Sequence, residues 1–435
     1  VSNSIERLKK IQNNSNPYPR DFPGRETIQY VLNRPSTVTL HEILTREKVD
    51  VPSDNFCKIA GRISARRHHG ETIFFDLFDQ TGSIQLIYGP IESGKLDFAK
   101  SQIVLDSVIK CDLGDMVGVE GALGQNPRGK PLLLISNFTL LAKALREPPD
   151  KRNGLKSPEH KYRHREQDLM SSADSREVFK KRAEIVFEIR KYLNERDFVE
   201  IETPILQPIY GGATAKPFTT QHNTLGQQFF LSISSELYLK RALVGGFDRV
   251  YAFSRCFRNE GISPEHNPEF TNLEIFESCK TDLDMICFTE DLIRNVSCSI
   301  KCPHEYPMIF DADLPSSDWP LSRKSIGKGR HRNRAEAWEL YIDDMEIASG
   351  ASDLNDPHEQ ETRLKEPESK KFFTNEFGEN IREYDPYDQN YIEALEMGAL
   401  PWAGVGIGID RLCMLLLGKK NIRDVIMFPL LKTKV

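Results

Sequence analysis

The sequence has no apolar run long enough to span a bilayer and no apolar N-terminal signal segment, so no membrane association is expected. It has no CxxC pair. Its cysteines (57, 111, 256, 279, 287, 298, 302 and 413) are scattered, as in a cytosolic protein with reduced thiols. Cys298, Cys302 and His304 lie close enough to suggest a metal, but a fourth ligand and the usual zinc spacing are missing. No Ser/His/Asp or Cys/His signature stands out, so no protein nucleophile is indicated. Positive charge is also short: 58 Lys and Arg against 64 Asp and Glu give a net charge of −6. Any nucleic-acid contact must then come from local patches and not from a global field. What remains is a 435-residue chain, 39% hydrophobic and 28% charged, an ordinary composition with room for two or three domains.

The chain is organised around residues 250–277, VYAFSRCFRNEGISPEHNPEFTNLEIFE. Tyr251, Phe253, Arg255 and Phe257 alternate with Ala252, Ser254, Cys256 and Arg258, the period of a strand. Gly261, Ser263-Pro264 and Asn267-Pro268 break the pattern, and alternation resumes from Phe270 to Glu277. Arg258 and Glu260 are expected on one face of the first strand. Phe270, Asn272, Glu274 and Phe276 share a face of the second. An arginine and acids opposite an aromatic, with a histidine in the loop, suit an anion and a flat ring; a solvated hairpin with ordinary charge pairs is the alternative.

The order FRNE, a loop with HNPEF, then NLE resembles motif 2 of the class II aminoacyl-tRNA synthetases in the form used by lysyl-tRNA synthetases. The resemblance covers most of the chain. It implies an α+β protein: an N-terminal arm (1–54), an OB-fold β-barrel that binds the anticodon (55–143), a linker (144–172), and a catalytic domain (173–435) built on an antiparallel sheet with flanking helices.

The residues of each region are compatible with that plan. The chain begins at Val and not Met, so N-terminal sequence is expected to be missing. Residues 55–143 carry five short strand-like runs punctuated by glycine, with a helix candidate from Ser93 to Ile109, the make-up of an OB-fold. Arg62, Arg66, Arg67, His68 and His69 precede Phe74, Phe75 and Phe78, and basic groups with aromatic faces suit unpaired bases. Phenylalanines that merely fill the barrel are the alternative. By resemblance, Phe74 and Gln85, and more weakly Arg66, contact anticodon bases. The linker carries Pro148-Pro149 and many basic residues; Glu166 and Gln167 stand where the family has Tyr and Leu. From Asp174 a long helix with Val178, Ala183, Ile185, Val186, Ile189 and Leu193 at helical spacing precedes a strand at 198–202, resembling motif 1, which implies a homodimer.

Further on, GGATAKPF (211–218) allows close approach of backbone to a ligand. A helix is expected to open near Ser234 or Ser235 with Glu236 in its first turn. Between about 294 and 306 the chain passes quickly over a stretch that is longer in the family. Glu339 and Glu346 flank a tight turn; alone they read as surface, beside a triphosphate as Mg²⁺ ligands. PWAGVGIGIDRLCMLLLG (401–418) resembles motif 3.

The resemblance implies that the chain activates lysine with ATP and transfers it to tRNA(Lys), in the cytoplasm. Arg258 would bridge the amino-acid carboxylate and α-phosphate. Glu260, His266 and Asn267 would contact ATP, with its adenine between Phe270 and Arg411. Glu339 and Glu346 would hold Mg²⁺. Glu236 and Asp353 would pair the lysine side-chain ammonium, and Gly211 and Glu274 the α-amino group. Three pocket positions depart from the family: Phe276 for Tyr, Ser349 for Asn and Asp353 for Glu. A non-catalytic tRNA-binding paralogue, or a lysyl transferase acting on a protein lysine, are the other readings.

Overall fold

A computed structural model describes residues 2–10, 18–34, 55–70, 72–89, 102–126, 128–150, 154–302, 307–312, 314, 321–323, 335–365, 372–374, 380–382 and 387–433. The chain forms two compact units, residues 1–157 with 166–172, and residues 158–165 with 173–435.

The first unit is a closed five-stranded barrel. Its strands are β1 (Phe56–His69), β2 (Thr72–Phe78), β3 (Ser83–Tyr88), β4 (Met116–Gln125) and β5 (Pro131–Ala142), in the order β1-β2-β3-β5-β4. Alternation sends Ile59, Ile63, Phe75, Leu77, Leu86, Val117, Val119 and Leu133 into a common core. A helix, Gln102–Lys110, lies between β3 and β4; the earlier part of the expected helix, from Ser93, falls outside the described residues. Lys143, fully buried, ion-pairs Asp112 at 2.6 Å and Asp115 at 2.8 Å and donates to the carbonyl of Lys110, tying the helix end to β5. All eight cysteines of the chain are free.

The second unit adds β6 (Val199–Glu200), a small sheet of β7 (Leu206–Gln207), β8 (Thr219–His222) and β9 (Gln227–Leu231), then β10 (Arg249–Phe257), β11 (Glu269–Ser278), β12 (Ile309–Asp311), β13 (Ala337–Ile342), β14 (Met345–Ser352), a hairpin of β15 (Phe372–Thr374) and β16 (Asn380–Arg382), and β17 (Trp402–Gly408). The main sheet runs β12-β13-β14-β17-β11-β10-β6; only β6 pairs parallel. Antiparallel pairing and tight turns make this possible: Asp343 and Asp344, both at positive φ, form the two-residue turn between β13 and β14.

One face of this sheet is apolar. Tyr251, Leu273, Ile275, Leu340, Ile347, Val405 and Ile407 pack against Ile185, Ile189 and Leu193 of the Ala173–Asn194 helix. Leu292, Ile293 and Val296 of the Asp282–Ser299 helix and Leu412 of the Ile409–Leu416 helix complete that layer. Ala183, counted with the apolar stripe from spacing, is exposed. The other face is covered at one end, where Leu239, Leu243, Tyr391 and Leu395 pack on Val250, Ala252 and Phe276. Among the described residues the remainder of that face stays open.

Close approach across the sheet depends on Gly404. A Cβ there would lie 2.2 Å from the ring of Phe276, its cross-strand neighbour. Gly404→Ala is therefore expected to push the ring off its seat at a cost of about 1–3 kcal/mol. Gly261→Ala, with nothing within 4 Å of the added carbon, serves as control. Denaturant midpoints of the two variants check this.

Candidate active site

The open face is organised by strand register. Pairing places Glu339, Ser349, Gly406, Glu274 and Ala252 in one row across five strands, and Ala351, Gly404 and Phe276 in the next. Small residues in the middle of each row leave a hollow between carboxylates. It is a cavity of about 440 Å³ lined by Gly212, Glu236, Arg258, Glu274, Phe276, Glu339, Glu346, Ser349, Asp353 and others. Beside it lies a cavity of about 240 Å³ lined by Glu260, His266, Asn267, Phe270 and Arg411 among others. Arg258, Asn272, Glu346, Ser349 and Gly406 line both. The structure thus gathers every candidate catalytic, ATP, lysine and metal residue around two joined cavities except Gly211, which borders a small neighbouring hollow; Gly212 occupies the wall in its place. Gly212 is at φ +81, and a Cβ there would press within 2.8 Å of Glu236 and Ser234, so a left-handed turn without a side chain is required.

Arg258 and Glu260 lie past the end of β10 and not on a strand face as alternation suggested. The Arg258 amide still donates to the carbonyl of Pro268 in the register of the β10–β11 pairing, but Pro268 has no N–H to return a bond, and the Asn259 amide turns to the carbonyl of Lys216. The Arg258 guanidinium lies over the ring of Phe270, 5.1 Å from its centroid, and its Nε has no hydrogen-bond partner among the described residues. A half-buried cation with free donors between two cavities is suited to an anion.

Glu274 is 5% exposed and fully engaged. It accepts from the hydroxyls of Ser234 (2.8 Å) and Ser235 (2.5 Å), the Ser235 amide (2.9 Å) and Asn272 Nδ2 (2.9 Å). Burial raises its pKa, and Glu236 nearby raises it further, while these donors oppose both. Ser235 stands at the N-cap of the Glu236–Val244 helix but makes no capping bond, because its hydroxyl goes to Glu274.

One site residue was not anticipated. Lys240 is 0% exposed and lies behind the cavity wall, 2.5 Å from Glu236 and 2.8 Å from Asp353 Oδ1, with its ammonium 5.5 Å from the Phe276 ring centroid. The i,i+4 spacing of Glu236 and Lys240 on one helix was the available signal. Asp353 Oδ2 has no hydrogen-bond partner among the described residues although the residue is 4% exposed. That oxygen is itself shielded from solvent, and the Trp402 indole is a further neighbour that stabilises the carboxylate.

In the smaller cavity Arg411 holds the loop between β10 and β11. Its Nη1 donates to the Glu346 carbonyl (2.8 Å) and carboxylate (3.2 Å), and its Nη2 meets His266 Nε2 at 2.8 Å. His266 Nδ1 in turn meets the Ser263 hydroxyl at 2.7 Å, and the Ile422 amide donates to Pro264. Asn267 is buried, with Nδ2 on the Glu269 carbonyl and Oδ1 unpartnered among the described residues. Glu339 accepts from the Tyr341 hydroxyl at 2.7 Å. Glu339 and Glu346 are the hard oxygen donors that suit Mg²⁺, but two carboxylates alone make an incomplete shell that phosphate oxygens would have to finish. Among the described residues no group of three or more His, Cys, Asp or Glu could hold a metal ion by itself. His304 lies outside the described residues, and Cys302 donates to the Leu416 carbonyl.

On the barrel, register aligns Arg67 with Phe74, and Ala65 with Asp76 and Gln85. Phe74 and Gln85 are half-buried, whereas Phe75 is buried in the core. Arg66 pairs with Phe75 and belongs to the other face; it donates to the carbonyls of Ile109 (3.2 Å) and Cys111 (2.5 Å) at the helix end. The arginine near Phe74 and Gln85 is Arg67, ion-paired to Asp76 at 2.7 Å.

Comparison with known proteins agrees in both units. A family model described as class II tRNA synthetases (D, K and N) matches residues 157–307 and 298–432, and one for the OB-fold nucleic acid binding domain matches residues 57–146. Lysine--tRNA ligase 2 of Methanosarcina mazei is 35% identical over 97% of this chain and 92% of its own. The lysine--tRNA ligases of Methanoculleus marisnigri (34%, 99% and 94%) and Neisseria gonorrhoeae (35%, 98% and 94%) are similar to the same extent. These alignments run to 493–503 residues, longer than the 435 of this chain, so the relatives carry segments that it lacks. The class II match divides around 298–307, where the sequence pattern pointed to a shortened stretch.

Proposed function

The chain belongs to the class II lysyl-tRNA synthetases, ATP-dependent aminoacyl-tRNA ligases, and we propose that its two joined cavities hold lysine and ATP on either side of Arg258. The observation that carries this reading is the placement of Arg258, lining both cavities with an unpartnered Nε.

Lysine would occupy the larger cavity. Its carboxylate would lie on Arg258 with the Ser349 hydroxyl nearby, its α-ammonium on Glu274 near the Gly211-Gly212 turn, and its side-chain ammonium would be paired by Glu236 and Asp353. ATP would occupy the smaller cavity, its adenine between Phe270 and Arg411 in a stacking and cation–π arrangement. Glu260, His266 and Asn267 would meet the rest of the nucleotide. The lysine carboxylate attacks the α-phosphorus and pyrophosphate leaves; the tRNA 3′-hydroxyl then attacks the activated carbonyl and AMP leaves. Arg258 brings the two reactants together and offsets the negative charge that grows on the phosphate, so positioning and electrostatics suffice without a protein nucleophile. Glu339 and Glu346 would hold Mg²⁺, which neutralises phosphate charge. For Arg411 and Glu346 this requires that their contact loosen as nucleotide and metal enter.

The barrel would read the anticodon through Phe74 and Gln85, with Arg67 closer to that face than Arg66. A cytoplasmic homodimer is the assembly this reading carries. No helix among the described residues is long and apolar enough to cross a membrane.

ATP–pyrophosphate exchange against the twenty amino acids tests the assignment: lysine should drive it best, and a neutral or acidic amino acid driving it better would refute the lysine site. Arg258→Ala is expected to cost about 3–4 kcal/mol of transition-state stabilisation, so exchange within tenfold of the parent would refute its central role. Phe74→Ala should weaken tRNA charging by roughly 1–3 kcal/mol in kcat/KM and leave tRNA-independent exchange nearly intact. A parallel loss of both activities would count against a separate anticodon role.

A further inference from the structure

Five carboxylates line the larger cavity; with Glu339 and Glu346 given to Mg²⁺ in the reading above, Glu236, Asp353 and Glu274 remain for the amino acid. Lysine brings two ammonium groups, and its carboxylate is matched by Arg258. Without another cation, three negative charges would face two positive ones in a largely buried site, and one carboxyl would hold a proton instead. The fourth charge is Lys240, which is absent from the cavity lining and contacts both Glu236 and Asp353.

We propose that Lys240 is a specificity-determining positioning residue: its buried ammonium bridges Glu236 and Asp353, offsets one of their charges and holds them aligned, so that with Glu274 they present two net negative charges to an amino acid carrying two ammonium groups. The proposal rests on the reading of this cavity as the lysine site and adds a residue that does not touch the substrate. Among the described residues, the other groups around the cluster do not replace this charge. Tyr391 and Trp402 are neutral, Glu274 adds negative charge beside Glu236, and Arg323 is committed to the Asp353 carbonyl and Asn355. Burial, only partly opposed by Lys240, leaves the Asp353 carboxyl raised to about 7. Burial likewise works against the charge on Lys240, but Asp353 and Glu236 outweigh it and hold the ammonium protonated. Removal of the ammonium would leave two apposed carboxylates, and the acid limb of lysine binding would move to higher pH.

The test is lysine-dependent ATP–pyrophosphate exchange by the parent and Lys240→Met, from about pH 6 to 9, the range around a carboxyl raised this far. Norleucine, which has a neutral side chain, is run alongside. In Lys240→Met the lysine KM should rise about tenfold or more near neutral pH, one unit of carboxyl shift being tenfold. The deficit should narrow as pH rises, the ATP KM should hold, and the preference for lysine over norleucine should fall. Lys240→Met combined with Asp353→Asn removes one charge of each sign and should bring the acid limb back towards the parent position. An unchanged lysine KM, a deficit equal at every pH, an equal loss with norleucine, or a double variant with no return of the acid limb would each overturn the proposal. Exchange by the parent enzyme separates the two levels: if lysine does not drive it, the lysine site itself is wrong, whereas a parent that uses lysine with an unaffected variant refutes Lys240 alone.

Discussion

The pleat of the main sheet is the constraint on which the catalytic unit depends. Each strand sends alternate side chains to opposite faces, so one register serves two purposes at once. Leu273, Ile275, Val405 and Ile407 close the helix-covered core, and the residues between them, Asn272, Glu274, Phe276, Gly404 and Gly406, form the floor of the cavities. A slip of one residue would bury Glu274 in the apolar layer and expose Ile275. The apolar face therefore holds the chemical face in place, and the small residues of β17 set how closely its neighbours approach.

Charge imposes a second constraint on the same face. Buried carboxylates persist where donors or cations meet them, and this site uses both means. Glu274 is satisfied by two serines, a backbone amide and Asn272, at the expense of the helix cap that Ser235 would otherwise make. Asp353 and Glu236 share Lys240 instead. Arg411 holds Glu346 and His266 from the side of the smaller cavity. Among the described residues the site is thus charged throughout yet locally paired, with Arg258 Nε and Asn267 Oδ1 among the buried atoms left without a partner.

In the barrel a similar division separates neighbours in sequence. Arg66 turns to the helix-end carbonyls and stabilises the barrel, whereas Arg67, one residue on, stands beside Phe74. Two adjacent arginines of equal charge have different roles because the strand alternates. A count of basic residues near an aromatic could not tell them apart.

The sequence by itself determined the family and fold class, the strand–loop–strand that carries Arg258 and Phe270, the alternation that puts Asn272, Glu274 and Phe276 together, and the GVGIGIDR run that ends in Arg411. These are local properties: period, turn residues and motif order are written along one stretch of chain. Tertiary structure decided the rest. It ended the strand at Arg258, where Pro268 can return no bond and the Asn259 amide turns to Lys216, and it placed Gly212, not Gly211, on the cavity wall against Glu236 and Ser234. It sent Arg66 away from Phe74, and it set Lys240 between Glu236 and an aspartate 113 positions distant. A buried charge is stable only beside its partner, and that partner is fixed by packing in space, which no local pattern records.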